Sequence, residues 1–193
     1  MRDMEIRGAG NLLGAQQHGH ISAIGFDMYC RLLDEAVNEI KGDEVELTAD
    51  PDIQVSVSAF IPDDYVADAD EKMSFYQRLG EARQTVEVLA IEEELEDRFG
   101  KLPEPTASLL DTLHLRLLCR QLKVETLNVG PTMSLTFLPD KVLEREDVER
   151  MIKQSPQPLQ FLLGEAARIE VELEGNNAAR RVASAKKVLM SLI

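Results

Sequence analysis

The sequence has few residues of several kinds, and each shortage excludes a class of protein. Its 193 residues include no tryptophan and two cysteines, Cys30 and Cys119, whose wide separation argues against a disulfide framework. No apolar run approaches the ~18 residues that a membrane-spanning helix needs, and no secretory signal peptide is recognisable. We therefore expect a protein of the reducing cytoplasm that makes no contact with membranes.

Positive charge is also scarce. The chain has 21 lysines and arginines against 35 aspartates and glutamates, a formal net charge of -14. Such a chain repels nucleic acid and anionic membranes as a whole, so any DNA contact must be local or made by another domain. Hydrophobic residues make up 44% of the sequence, which is enough to bury a core, and a globular fold is expected.

The glycine-rich opening, RDMEIRGAGNLLGAQQHGH (residues 2–20), lacks the spacing of a nucleotide-binding loop. Gly8, Gly10 and Gly14 follow the pattern G-x-G-x-x-x-G rather than G-x-G-x-x-G, and no apolar strand precedes them. The phosphate-binding sequence G-K-[ST] is absent from the chain. We therefore expect this chain to bind no nucleotide cofactor by itself.

A metal site and a catalytic site both lack a sufficient set of residues. His18, His20 and Cys30 come nearest to a metal site, but a zinc ion needs three or four convergent ligands, and His114 and Cys119 lie far along the chain. We expect loop histidines and no metal ion. No serine or cysteine is paired with a base in a hydrolase motif, so we expect no enzymatic activity, and a small hydrolase is the least favoured alternative.

Hydrophobic periodicity divides the chain into two parts. Residues 26–40 repeat apolar side chains at helical spacing, which predicts an amphipathic helix after the glycine-rich arm. The acidic stretch 41–50, interrupted by a glycine, is typical of a linker. We therefore predict a first segment of residues 1–45 and a second domain of residues 46–193.

The second domain begins with a change of period. Residues 53–59 alternate apolar and polar side chains and predict a strand, and Asp68 and Glu71 have the spacing of a capping box at the start of a long helix. Gly100 ends that helix, and Gly80 is a point where it can bend. A second helix, a hairpin of two strands, a short helix, a strand and a terminal helix follow. The order predicts an α+β fold, with a mostly antiparallel sheet packed by helices.

An acidic run on the first long helix is the most informative charge pattern. No basic residue lies between Glu87 and Asp97, and on a helix Glu87 and Glu94 nearly superpose while Asp97 lies about 60° further round. A solvated face is the ordinary interpretation of such a run. The alternative is a docking patch for a basic surface.

The terminal helix carries the opposite charge. Arg180, Arg181, Lys186 and Lys187 cluster there. Because the chain as a whole is acidic, we expect this short basic cluster to be a solvated face that pairs with neighbouring acids rather than a DNA-binding surface.

Three stretches resemble the bacterial transcription-repair coupling factors, the Mfd family. Residues 2–37, RDMEIRGAGNLLGAQQHGHISAIGFDMYCRLLDEAV, resemble the TRG motif of that family. Residues 60–79, FIPDDYVADADEKMSFYQRL, and residues 95–110, LEDRFGKLPEPTASLL, are similar to its C-terminal domain. The order of the three matches implies the end of a TRG motif followed by the C-terminal regulatory domain of a longer protein.

The resemblance implies a function for the whole protein. Members of the family are duplex DNA translocases that dislodge stalled RNA polymerase with ATP and magnesium and recruit UvrA for nucleotide excision repair. The TRG motif couples ATP hydrolysis to movement along DNA, and its critical arginine and glutamine correspond to Arg7 and Gln17. Arginine and glutamine suit this role in a glycine-rich segment that changes shape. The guanidinium can form bidentate contacts with acidic or carbonyl groups, and the amide can both donate and accept hydrogen bonds.

For the C-terminal domain, the resemblance implies autoinhibition. In the family this domain packs against the N-terminal UvrB-like module and covers the surface that UvrA uses. The contact corresponds to Glu94 and Asp97, with Glu87 on the same patch, and this favours docking over the solvated face. A stand-alone DNA-binding module, using Arg7 and the terminal basic helix, is the alternative, and steep salt dependence of duplex binding would distinguish it.

Overall fold

A computed structural model of the protein describes residues 50–162, 164 and 166–193. The glycine-rich arm, the helix expected at residues 26–40 and most of the linker lie outside the described residues. The strands are β1 (Asp52–Val55), β2 (Val124–Val129), β3 (Thr132–Phe137), β4 (Gln160–Leu162) and β5 (Arg168–Glu172). The helices are α1 (Ala69–Glu81), α2 (Thr85–Phe99), α3 (Glu104–Leu122), α4 (Arg145–Gln154) and α5 (Ala178–Ser191).

The strands form one sheet in the order β1-β2-β3-β5-β4. β1 runs parallel to β2, and the other neighbouring pairs are antiparallel. The predicted α+β fold with a mostly antiparallel sheet is therefore confirmed. Sequence periodicity did not reveal β4, because a strand of three residues is too short to establish an alternation.

The long helix expected between Asp68 and Gly100 is two helices, α1 and α2. Asp68 caps α1 as predicted, because its carboxylate accepts a hydrogen bond from the backbone N–H of Glu71 at 2.8 Å. The chain breaks after Glu81 rather than bending at Gly80, which is helical. The cause is a second cap, in which the carboxylate of Glu87 accepts the backbone N–H of Gln84 at 3.0 Å and starts α2.

Helix α3 belongs to two hydrophobic cores at once. One side packs with α1 and α2 through Leu109, Leu110, Leu113 and Leu117. The other packs with the sheet and α5 through Leu115, Leu118, Cys119 and Leu122. A helix that is apolar nearly all round is expected to be buried, and α3 is the wall that the two cores share.

A loop before α1 fixes the C-terminal end of α2. The hydroxyl of Tyr65 donates to the carbonyl oxygens of Leu95 at 3.0 Å and Gly100 at 2.8 Å, which joins this loop to the last turn of α2 and to the residue that follows it. Gly100 has φ +84°, a conformation that glycine adopts without steric cost. The acidic end of α2 is thus held in one position.

Asp50 attaches the start of the described chain to α3. Its carboxylate accepts hydrogen bonds from Arg116 Nε at 2.9 Å and from Arg120 Nε at 3.1 Å and Nη2 at 2.8 Å. Burial by itself raises the pKa of Asp50, but the hydrogen bonds and positive charges of the two arginines outweigh it and hold that pKa below its ordinary value of 3.8.

We expect Asp50→Asn to lower the free energy of unfolding at neutral pH by about 2 kcal/mol, because it removes a countercharge from the buried Arg116 while Asp50 itself is partly exposed to solvent screening. The folded-state pKa is depressed, so this stabilisation is complete above pH 3.8 and is lost as the pH falls through the folded-state pKa. Urea denaturation across this range measures it. Asp52→Asn, at an exposed carboxylate, is the matched control, and equal effects of the two substitutions would contradict the assignment.

The turn between β5 and α5 requires glycine at residue 175. Gly175 has φ +132°, and a Cβ there would lie 2.8 Å from Cβ of Arg180 and 3.0 Å from the backbone nitrogen of Arg181. The turn is therefore in direct contact with the first turn of α5.

Gly175→Ala is expected to destabilise the protein by about 1–3 kcal/mol, through backbone strain and the clash with α5. Thermal denaturation followed by circular dichroism measures the loss. Gly164→Ala serves as the control, because a Cβ there meets only an ordinary contact at 3.9 Å. A change at Gly175 no larger than that at Gly164 would show that the turn tolerates a side chain.

Candidate docking surface

The acidic helix α2 presents one face to the core and the opposite face to solvent. Val88, Ile91 and Leu95 are buried against α1 and α3. At about 100° per residue, the opposite side of the helix carries Val86, Ala90, Glu93 and Asp97 in one line, with Leu89 on its flank; we call these five residues the outward stripe. All five are exposed.

Glu87 has a structural role at the start of this helix. Its carboxylate accepts the backbone N–H groups of Arg83 at 2.6 Å and Gln84 at 3.0 Å. The bonds from Arg83 and then Gln84 lower the pKa of Glu87, because they favour the ionised carboxylate. The sequence placed Glu87 in a docking patch, and the structure places its oxygens in the cap.

Glu94 is bound between two arginines. Its carboxylate lies 2.6 Å from Nη2 of Arg78 on α1 and 3.1 Å from Nη1 of Arg98 on α2. Arg98 also pairs with Glu71 on α1. The charge of Glu94 is therefore compensated within the domain, and its main contact joins α1 to α2.

Glu96 is exposed on the flank of the outward stripe, and Asp97 and Glu93 are the two acids within the stripe. Both are exposed, and neither makes an ion pair within the part of the chain that the structure describes. They lie four residues apart, so their carboxylates are neighbours on the helix surface. Of the three predicted docking residues, only Asp97 belongs to the outward stripe; Glu94 lies beside it and Glu87 is in the cap. Glu93, at i,i+4 spacing from Asp97, was not among the predicted docking residues.

The outward stripe also contains exposed apolar side chains. Val86 is 62% exposed and Leu89 is 48% exposed, although both lie on a helix with a well-formed buried face. Apolar residues at the N-terminal half and unpaired acids at the C-terminal half give the stripe a mixed character. This combination is typical of an interaction surface, in which an apolar centre adjoins charged groups that select the partner.

A buried histidine on α3 lies near an acid of α2 without a hydrogen bond to it. His114 on α3 is 3% exposed, and its Nε2 lies 3.9 Å from Oε2 of Glu92 on α2, which is too long for a hydrogen bond. Burial lowers the pKa of His114 to about 4. The positive charge of Lys186 on α5 adds to this shift, and the negative charge of Asp111 on α3 opposes it. The imidazole is therefore neutral at physiological pH.

The structure describes only some of the residues that the sequence suggested for translocation, metal binding or catalysis. Arg7, Gln17, His18, His20 and Cys30 lie outside the described residues. Burial raises the pKa of the Cys119 thiol to about 12, so Cys119 is a core residue rather than a nucleophile. In the part of the chain from residue 50 onward that the structure describes, no three His, Cys, Asp or Glu side chains converge as metal ligands.

The terminal basic cluster is divided by the fold. Lys186 on α5 forms an ion pair with Asp111 on α3, which is the pairing with neighbouring acids that the sequence favoured. Arg180, which precedes Lys186 on α5, and Lys187, which follows it, line a separate groove. Among the described residues, no helix is long and apolar enough to cross a membrane.

Comparison with known proteins identifies the family. The family model of the TRCF domain matches residues 55–148. The chain is 37% identical to the transcription-repair-coupling factor of Myxococcus xanthus over 98% of this chain and 16% of that protein. It is 39% identical to the Haemophilus influenzae protein of the same name over 82% of this chain and 15% of the relative. The chain thus spans about a sixth of the length of these relatives.

A solved structure has the same fold. The crystal structure of the C-terminal domain of a transcription-repair coupling factor superimposes with a TM-score of 0.63 at 16% identity, and covers 74% of this chain and 91% of that one. At this identity the likeness establishes the fold alone. Together with the sequence matches, it leads to one conclusion: the chain belongs to the transcription-repair-coupling factor family and corresponds to the C-terminal part of its members.

Proposed function

We propose that this domain is the autoregulatory part of a transcription-repair coupling factor, and that the outward stripe of α2 docks on the UvrB-like module at the N-terminal end of the whole protein. In the docked state the domain covers the surface through which that module binds UvrA. The observation that carries the proposal is the outward stripe, which combines unpaired acids with exposed apolar side chains on a helix held rigidly at its acidic end.

The contacts of each acid on α2 indicate which of them can bind a partner. Glu93 and Asp97 have charge available for a basic partner surface, whereas Glu94 and Glu87 use theirs within the domain. Glu94 contributes to docking chiefly by holding α2 against α1, and its remaining exposure lets it add a peripheral contact. The family resemblance pointed to Glu94 and Asp97, whereas this proposal gives the main docking charges to Glu93 and Asp97.

A contact of this kind suits a reversible switch. Interdomain contacts within a chain are commonly modest and polar, so that other interactions can displace them. Movement of the motor or engagement of RNA polymerase would open the contact and expose the UvrA-binding surface by shifting the population of closed molecules.

The motor activity belongs to the whole protein. We propose that ATP and magnesium are bound by other domains, and that Arg7 and Gln17 couple ATP hydrolysis there to translocation on duplex DNA. A stand-alone DNA-binding module is the weaker candidate, because the chain has a net charge of -14 and Lys186 of its basic cluster is engaged by Asp111.

Reversing the charges of Glu93 and Asp97 (Glu93→Lys with Asp97→Lys) is expected to weaken binding of this chain to the separately expressed UvrB-like module by at least about tenfold, since like charges would then face each other. Titration calorimetry measures the affinity, and wild-type binding should also weaken as salt is raised. The control, Glu125→Lys with Glu172→Lys, makes the same change of net charge at two exposed strand positions. Equal losses in both variants, or none in either, would place docking elsewhere.

Leu89→Ala tests the apolar half of the outward stripe. We expect about a fivefold loss of affinity for the same module, because roughly 1 kcal/mol of apolar burial is removed, and this loss should persist at high salt. Leu162→Ala is a matched control, since Leu162 on β4 is 46% exposed against 48% for Leu89. If Leu89→Ala binds as the wild type does, the contact is purely electrostatic and the apolar side chains take no part.

A further inference from the structure

A groove runs along helix α5 on a part of the domain that the docking proposal does not use. It has a volume of about 560 Å³, within the range of peptide- and ligand-sized sites. One wall is α5, and the other is formed by the loop at Gln157 and the turn at Gly175. The close approach of Gly175 to Arg180 holds the turn against the helix and shapes this end of the groove.

Two cationic side chains stand along the helical wall. Arg180 and Lys187 are seven residues apart, so they lie on the same side of α5, about 10.5 Å from each other along its axis. The small residues Ala183 and Ser184 lie between them and leave room for a ligand backbone.

The charges of this pair are available to a ligand. Within the described chain neither Arg180 nor Lys187 forms an ion pair, and the guanidinium of Arg180 donates only to the neutral amide oxygen of Asn176, at 3.3 Å. Glu174 is the one carboxylate among the described residues that line the groove. In a chain of net charge -14, the groove is thus a local site of positive charge.

The opposite wall offers an unsatisfied hydrogen-bonding group. The side-chain oxygen of Gln157 is buried and has no hydrogen-bond partner in the described structure. The loop that carries it is ordered by Ser155, whose hydroxyl donates to the carbonyl oxygen of Gln157 at 2.7 Å and accepts its backbone N–H at 3.3 Å. A buried polar atom without a partner is costly, so a rotation of the Gln157 side chain that lets its oxygen accept a ligand N–H would be favourable.

These features fit an acidic peptide better than a nucleic acid. A single-stranded nucleic acid needs aromatic side chains on which its bases stack, and none of the described residues lining the groove is aromatic. The overall negative charge also opposes a long polyanion. An extended peptide spans the ~10.5 Å between the cations in three to four residues and supplies the backbone N–H that Gln157 lacks.

We propose that this groove binds an extended acidic segment of a partner protein, with two of its carboxylates paired to Arg180 and Lys187 and a backbone N–H donated to Gln157. The site is independent of the outward stripe, and the domain can therefore hold a partner here whether α2 is docked or free.

The test uses the whole chain and a fluorescein-labelled synthetic peptide of about twelve residues that alternates glutamate and serine, long enough to cross the groove. Fluorescence anisotropy measures its affinity, beside a peptide with glutamine in place of glutamate and an oligothymidylate of equal charge. Two double variants are compared. Arg180→Gln with Lys187→Gln removes the groove cations, and Lys101→Gln with Lys123→Gln makes the same charge change at exposed lysines outside the segments that line the groove.

We expect the glutamate peptide to bind more tightly than the other two probes, and the groove variant to bind it about tenfold or more weakly, while the control variant stays within about twofold of wild type. Gln157→Leu should also weaken binding without lowering the melting temperature, because it removes an unsatisfied buried atom. Equal losses in both double variants, tighter binding of oligothymidylate, or no binding of the peptide would overturn the proposal. Unchanged binding by Gln157→Leu would overturn the role of its amide.

Discussion

The burial of α3 on two sides is the constraint on which the rest of the structure depends. One side of this helix carries α1 and α2, and the other carries the sheet and α5, so the same wall positions both the outward stripe and the α5 groove. Asp50 adds a charged attachment to its C-terminal half through Arg116 and Arg120. Because interiors are close-packed, a shift of α3 would move the two surfaces together.

The contacts of the acids, more than their number, determine what α2 can do. Glu87 completes a helix cap and Glu94 joins two helices, so neither charge is fully available to a partner. Glu93 and Asp97 remain on the outward stripe, beside the exposed Leu89. The repulsion between neighbouring unpaired acids costs the isolated domain a few tenths of a kcal/mol, and a basic partner would relieve it.

Patterns with a local physical cause could be predicted from the sequence, and those that depend on tertiary contacts could not. The cap at Asp68, the helix α3 and the hairpin of β2 and β3 all follow from side-chain spacing. The break after Glu81 depends on whether Glu87 turns back to the chain, and the pairing of Glu94 with Arg78 depends on how α1 meets α2. Side-chain spacing therefore placed the acidic run on a helix. It could not show which of the carboxylates would be engaged by contacts within the domain and which would stay exposed.

Side-chain footprinting of the full-length protein tests the central claim most directly. Hydroxyl radicals would label Leu89 readily in this chain alone, where it is 48% exposed. If α2 is the docking face, Leu89 will be protected in the full-length protein at rest and become labelled when the motor engages DNA with ATP, while Leu162 on β4 stays equally labelled throughout. Equal labelling of Leu89 in the isolated chain and the resting full-length protein would contradict docking through the outward stripe.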